Sequence, residues 1–135
     1  MEQMKRAMFI GRWQPFHSGH KWLIDQKLDE GTPVLICVRD IPPNEDNPFT
    51  TRQTIHMIET VYSDSDVVVM SIPDIESVNY GRGVGYEITE HKPPKDLSGV
   101  SSTQIREQIG EDESEWKEHV DPKIQGIVHS LLLRK

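Results

Sequence analysis

The sequence predicts an α/β fold: a Rossmann-like, doubly wound parallel sheet in a single compact domain over residues 1–135. Three observations carry that expectation. Apolar runs of strand length, AMFI (7–10), PVLICV (33–38) and DVVVMSI (66–72), are separated by stretches whose apolar residues recur at helical spacing. The second and third runs are continuous rather than alternating, as in strands buried on both faces of a parallel sheet. Unusual polar residues gather just after each run: Arg12 to His20 after the first, Arg39 and Asp40 after the second, Asp74 after the third. Open α/β sheets bind ligands at those carboxyl ends, where strand order reverses.

The first strand leads into the loop GRWQPFHSGH (11–20). A helix is expected over 18–30, with Leu23, Ile24 and Leu28 on one face, Trp22 in the core and Gly31 as its stop. The second strand carries the lone cysteine, Cys37, whose apolar setting predicts a buried, reduced thiol. Pro, Asn and Asp mark 39–50 as a loop, and Ile55, Ile58, Val61 and Tyr62 predict a second helix over 51–62. After Asp74 the pattern weakens. Val84, Tyr86 and Ile88 alternate as a short half-exposed strand, and KPPKDLSG (92–99) reads as a loop. Ser101 and Gln104 have capping-box spacing at the start of a helix over 101–109. The acidic connector EDESE (111–115) follows, with Trp116 placed to pack it. Asp121 then caps a last helix, about 121–134, with Pro122 at its first position. Its stripe of Ile124, Ile127, Val128, Leu131 and Leu132 predicts docking on the core.

The net charge of −7, from 15 Lys+Arg against 22 Asp+Glu, argues against nucleic acid as a partner, since phosphate backbones call for a basic face. A small anion held by a local positive cluster is compatible with it. No stretch is long and apolar enough to span a membrane, and MEQMKR lacks the apolar run of a signal peptide. The expectation is a soluble cytoplasmic protein with no membrane partner.

His17 and His20 stand three apart where the first helix begins. A helix N-terminus presents unpaired N–H groups and partial positive charge, so it attracts anions. Imidazoles there can donate to phosphate oxygens, Gly19 lets the backbone approach, Pro15 stiffens the entry and Arg12 adds a guanidinium. Two plainer readings compete. One is half of a zinc site, which needs ligands that the sequence does not supply; the other is a pair of ordinary core histidines. Ser101, Ser102 and Thr103, with Arg106 one turn inside the helix, make a second cup, for which plain capping is the rival reading. Together the two cups look like grips on one polyphosphate. Asp40 and Asp74 are candidates for acceptor hydroxyls or a ring amide, or else cap turns. Arg52 can reach a phosphate or stay solvated, and GRGVG (81–85) either shapes a pocket around Tyr80 and Arg82 or makes a turn. His56, His91, His119 and His129 have no evident partner.

GRWQPFHSGH resembles the HIGH-type signature of the nucleotidylyltransferase superfamily, with His17 and His20 at its histidine positions, and GVSSTQIR (99–106) resembles the second signature. With Arg12 and Gln14, the first motif looks most like archaeal-type nicotinamide mononucleotide adenylyltransferases. NPFTTRQTIHMI, SIPDI and EWKEHVDP are similar to that branch, so the resemblance covers nearly the whole chain. The stretch between Asp74 and Ser101 is shorter than in that branch, where another strand and helix help enclose the nicotinamide. The compact length instead looks like the small cytidylyltransferases that act on glycerol phosphate and similar alcohol phosphates, which usually carry an aspartate at the Gln14 position. VRDIPPNEDNPF and YGRGVGYEI resemble adenylyltransferase-like modules, some fused to sulfate-activation kinases.

The resemblance implies attack of an acceptor phosphate on the α-phosphorus of ATP, transfer of AMP and release of pyrophosphate, with no covalent enzyme intermediate. It assigns His17 and His20 to the α- and β-phosphates, and Arg106, Ser101 and Ser102 to the β- and γ-phosphates. Gly11, Trp13, Phe16, Gly19 and Thr103 complete the nucleotide site, and Arg12 serves the transition state or the acceptor phosphate. Magnesium (Mg2+) is expected to bridge phosphate oxygens. The acceptor is a small phosphorylated metabolite, nicotinamide mononucleotide being one candidate. The alternatives are a CTP-dependent cytidylyltransferase acting on an alcohol phosphate such as glycerol 3-phosphate, and a nucleotide-binding module without turnover. The intact motifs count against the module. Members of the family commonly associate, so a homo-oligomer is an expectation.

Overall fold

The computed structural model describes residues 5–82, 85–111 and 113–133. Strands β1 (Ala7–Gly11), β2 (Val34–Asp40) and β3 (Val67–Pro73) form a parallel sheet in the order β1-β2-β3. Helices α1 (Ser18–Leu28) and α2 (Thr51–Val61) are the two crossovers. Both steps run in the same direction across the sheet, so right-handed crossovers put both helices on one face. The register sets Phe9, Ile36 and Val69 side by side on that face, and Met8, Leu35 and Val68 on the other. A single turn, α3 (Lys95–Ser98), then α4 (Ser102–Gly110), a 3-10 helix (Glu115–His119) and α5 (Pro122–Leu133) complete the chain.

Local chemistry fixes the helix ends. Thr50 Oγ1 accepts from the Gln53 N–H and the Gln53 side chain returns to the Thr50 N–H, a reciprocal cap at the start of α2. Asp121 Oδ1 accepts from the Lys123 N–H at the start of α5, with Pro122 in the first turn as expected. Gly31, at φ 82°, takes the left-handed conformation that ends α1.

One apolar cluster joins the helices to the sheet. Val34, Ile36 and Val38 meet Ile24, Met57, Ile58, Ile105, Ile124 and Val128 there, with Phe9, Val67 and Val69 packed at its margin. The apolar stripe of α5 docks as its spacing predicts, against α2 and α4. Cys37 is buried, which raises its thiol pKa.

Several sequence expectations are corrected. The α/β class and the parallel sheet stand; among the described residues the sheet has three strands and no reversal of order. The central strand β2 is covered on both faces, Leu35 half-buried and Cys37 buried on the far side, but β1 and β3 are not. Met8, Val68 and Met70 are 56%, 42% and 45% exposed, because the core cluster lies wholly on the helix side. No strand forms at 85–88: Tyr86 and Ile88 alternate but have no neighbour to pair with, and they stand exposed. Val84 and Gly83 lie outside the described residues, as does Arg134, to which the last helix is expected to reach. Trp22 is half-buried rather than core, and the 92–99 loop contains the turn α3. No described helix is long and apolar enough to cross a membrane.

Candidate nucleotide site

β1 ends at Gly11, where the chain turns sharply. Trp13 sits at φ 56°, in the left-handed region, and its ring tucks under the end of the strand. A Cβ at Gly11 would lie 2.8 Å from Trp13 Cε2, so only glycine leaves room for the ring. Trp13 Nε1 donates to the Cys37 carbonyl at 3.2 Å, tying the turn to β2. Trp13 and Phe16 are both buried, and each packs against the His20 ring. They act as the floor of the site. Gln14 is also buried: its Nε2 donates to the Phe49 carbonyl at 3.1 Å, and its Oε1 accepts from the Phe49 N–H at 2.9 Å. That amide clamp pins the 41–50 loop beside the first motif.

The start of α1 answers why two histidines stand three apart. His17 is the N-cap residue, and its Nδ1 accepts from the N–H groups of Gly19 (3.1 Å) and His20 (3.4 Å). His20 Nδ1 in turn accepts from the His17 N–H at 3.2 Å. The pair is a capping box in which imidazoles replace the usual hydroxyl and carboxamide. Accepting at Nδ1 fixes the tautomer of both neutral rings, so each carries its proton on Nε2. The rings stack at 3.6 Å with 16° between their planes. Burial, with the His119 charge as the lesser cause, lowers the His17 pKa to about 4. Burial and then the His17 charge push His20 well below its usual value. At neutral pH both are uncharged donors.

The second motif is brought against the first. Ser101 Oγ caps α4 by accepting from the Gln104 N–H at 3.2 Å. Ser102 Oγ donates to the Pro15 carbonyl at 3.1 Å, and Arg106 NH1 donates to the Gln14 carbonyl at 2.6 Å. Arg106 NH2 also reaches Thr103 Oγ1 at 3.3 Å. Partial burial lowers the Arg106 pKa, against the raising effect of Asp46 and Glu107. The N-termini of α1 and α4 are therefore docked on the same loop. His17, Gly19, His20, Ser101, Ser102, Thr103 and Arg106 belong to one locality, as the motif reading expects.

The acceptor candidates divide. Arg39 Nε donates to Asp74 Oδ1 at 2.7 Å, and that oxygen also accepts from the Ile75 N–H at 2.9 Å. The Asp74 pKa is lowered chiefly by this Arg39 bond, with Ile75 and Arg12 contributing. Arg12, Arg39 and Asp74 thus gather at the strand ends. Asp40 Oδ1 instead accepts from Thr51 Oγ1 at 2.9 Å. With Arg52, Ile55, His56, Glu59 and Ser71, those two line a cavity of about 470 Å³ beside α2 that none of the motif residues enters. Tyr80 and Arg82 are exposed. Among the described residues, no group of three or more His, Cys, Asp or Glu side chains converges as metal ligands would.

Sequence reasoning gives no structural role to four residues of this region. Gln14 and Arg39 find partners 35 positions away, which no local pattern reveals. His119 reaches the neighbourhood of His17 only through the packing of the 3-10 helix on α4. The Ser18 hydroxyl is buried at the start of α1 without a partner, while the motif marks Ser18 only as a helix start.

The chain is similar over most of its length to two nicotinamide-nucleotide adenylyltransferases. With that of Pyrobaculum aerophilum it shares 28% identity, covering 95% of this chain and 89% of the relative. With that of Caldivirga maquilingensis it shares 29%, covering 93% and 88%. Among solved structures it matches a bifunctional NMN adenylyltransferase/ADP ribose pyrophosphatase from Francisella tularensis, with a TM-score of 0.47 and 33% identity. That match covers 53% of this chain and 23% of the bifunctional one, so the chain spans less than a quarter of it. The cytidylyltransferase-like family model matches residues 8–94, from the second residue of β1 through β3, and includes the histidine capping box. On that match, over more than half its length, the chain belongs to the cytidylyltransferase-like family.

Proposed function

We propose that this protein is an adenylyltransferase that moves AMP from ATP to nicotinamide mononucleotide, releasing pyrophosphate. The observation that carries the reading is the paired histidine cap, which aims two neutral Nε2–H donors from a helix start beside the second motif. The substrate pair is taken from the relatives, which are named nicotinamide-nucleotide adenylyltransferases. A phosphate oxygen of the acceptor forms the new bond to the α-phosphorus. The bond to the α–β bridging oxygen breaks, and its electron pair leaves with pyrophosphate. His17 and His20 donate to oxygens of the α- and β-phosphates, and the N-terminus of α4, with Thr103 and Arg106, holds the β- and γ-phosphates. Such donors stabilise developing charge without having to reorganise. Ser102 and Arg106 also spend hydrogen bonds on the Pro15 and Gln14 carbonyls, so part of their work is to hold the two motifs together. Magnesium, if it comes with the nucleotide, would neutralise charge on the phosphates, and the protein's own part would be the donors of the two motifs. A cytoplasmic location and self-association belong to the same reading, tested by cell fractionation and light scattering.

The deciding assay is pyrophosphate release, with ATP and CTP each tested against nicotinamide mononucleotide and glycerol 3-phosphate. The expected result is release with ATP and nicotinamide mononucleotide, slowed about 10²–10³-fold by His17→Asn. Release with CTP and glycerol 3-phosphate alone would move the protein to the cytidylyl reaction. Tight ATP binding with no release under any condition would make it a binding module.

A further inference from the structure

Helix α1 carries His20, yet little moors the helix itself. Ile24 is its one buried residue. Among the described residues, one side-chain hydrogen bond ties α1 to a distant part of the chain: Tyr62 Oη, at the C-cap of α2, donates to Asp25 Oδ1 at 3.1 Å. Asp25 Oδ2 takes Lys21 Nζ, one turn earlier, at 2.6 Å. The same ammonium stands 5.7 Å from the centre of the Tyr62 ring. Burial, and then the Asp25 charge, raise the pKa of the Tyr62 hydroxyl, so it keeps its proton to donate. The Tyr62 ring has a second contact. It meets the buried Phe16 edge-on, with ring centres 5.8 Å apart and 77° between planes, and Phe16 lies 5.6 Å from the His20 ring. Tyr62 therefore reaches His20 by two routes, through Asp25 on α1 and through Phe16.

A preorganised donor helps only where its N–H points at the atom that gains charge, and misplacement by about 1 Å can cost about 10²-fold. His20 Nδ1 is spent on the His17 N–H, which fixes the ring relative to its own turn but not the helix relative to the sheet. We infer that Tyr62 is a positioning residue for the proposed transfer: its hydroxyl on Asp25 sets the rotation of α1 about its axis, its ring backs Phe16, and together they fix where the His20 Nε2–H points. The inference deepens the proposed function and rests on it for the part that His20 plays in turnover.

The test is a double-mutant cycle between Tyr62 and His20 in the pyrophosphate-release assay on the full chain. Tyr62→Phe keeps the ring against Phe16 and removes only the hydroxyl, and Lys21 still neutralises Asp25. It is expected to lower kcat about tenfold with little change in KM for ATP. Asp25→Asn, which retains an oxygen for the hydroxyl, should lower kcat far less than Asp25→Ala. In a His20→Asn background the Tyr62→Phe effect should vanish, because a residue acting through His20 has nothing left to position there, whereas a merely structural loss would persist. A second readout needs no turnover: in nitrogen-15 spectra of the histidine rings, Tyr62→Phe should shift or broaden the His20 signals and leave those of His129 on α5 in place. A kcat within about twofold of wild type, or a loss equally large in the His20→Asn background, overturns the inference. If the wild type releases no pyrophosphate, the reaction reading fails and the ring spectra decide alone: His20 signals moved by Tyr62→Phe uphold the positioning, and unmoved ones overturn it.

Discussion

His17 uses its two ring nitrogens differently: Nδ1 caps α1, while Nε2 is left to donate outward. The two roles can be separated. Asparagine is a good N-cap, its oxygen accepting where Nδ1 does, but it has no donor corresponding to Nε2–H. His17→Asn is therefore expected to keep its urea midpoint and to lose about 10²–10³ in kcat, the usual effect of deleting one preorganised donor. The same burial makes stability pH-dependent. The folded His17 pKa of about 4 lies below the ordinary 6.5, so between those values the unfolded chain binds more protons than the folded one. Stability should fall as pH drops from 6.5 to 4 and level off below, and His17→Asn should shallow that slope in urea titrations at stepped pH. The histidines themselves were legible in the sequence, because two imidazoles at a strand-to-helix turn are unusual. Their reciprocal capping was harder to see, since the familiar box carries Ser or Thr and Glu. Arg39 was legible only as a residue after a strand; its bond to Asp74 depends on how β2 and β3 align.

At the scale of elements, the clamp between Gln14 and Phe49 joins the first motif to the loop before α2. Gln14→Leu fills similar space but leaves a buried N–H and C=O of Phe49 without partners. The expected cost is about 1–3 kcal/mol in urea denaturation, together with faster amide exchange at Phe49. The strands and helices were readable to within a residue or two, because their apolar spacing and their caps agree with one another. Thr50 with Gln53 and Asp121 with Pro122 mark helix starts as plainly in the sequence as in the structure. The failure at 85–88 has a different cause. Alternation records what a residue could do in a sheet, while a strand exists only where a neighbour offers hydrogen bonds.

At the scale of the whole molecule, the sheet separates a packed side from an open one. Ile36 is fully buried, whereas Met70 on the opposite face is 45% exposed. Ile36→Ala should cost about 2–5 kcal/mol, and Met70→Lys should stay within about 0.5 kcal/mol, both read from denaturation midpoints. Continuous apolar runs could not reveal this asymmetry, since Val-rich strands look alike whether one face or both are covered. The open face also bears on how the protein responds to temperature. Heat capacity rises on unfolding because apolar surface meets water for the first time. Met8, Val68 and Met70 meet water already in the native state. The calorimetric increment should accordingly fall below the usual figure of about 12–15 cal/mol/K per residue. Native and denatured chains would then diverge less steeply with temperature, and the stability curve would be a low, broad arch, slow to decline in the cold as well as in the heat.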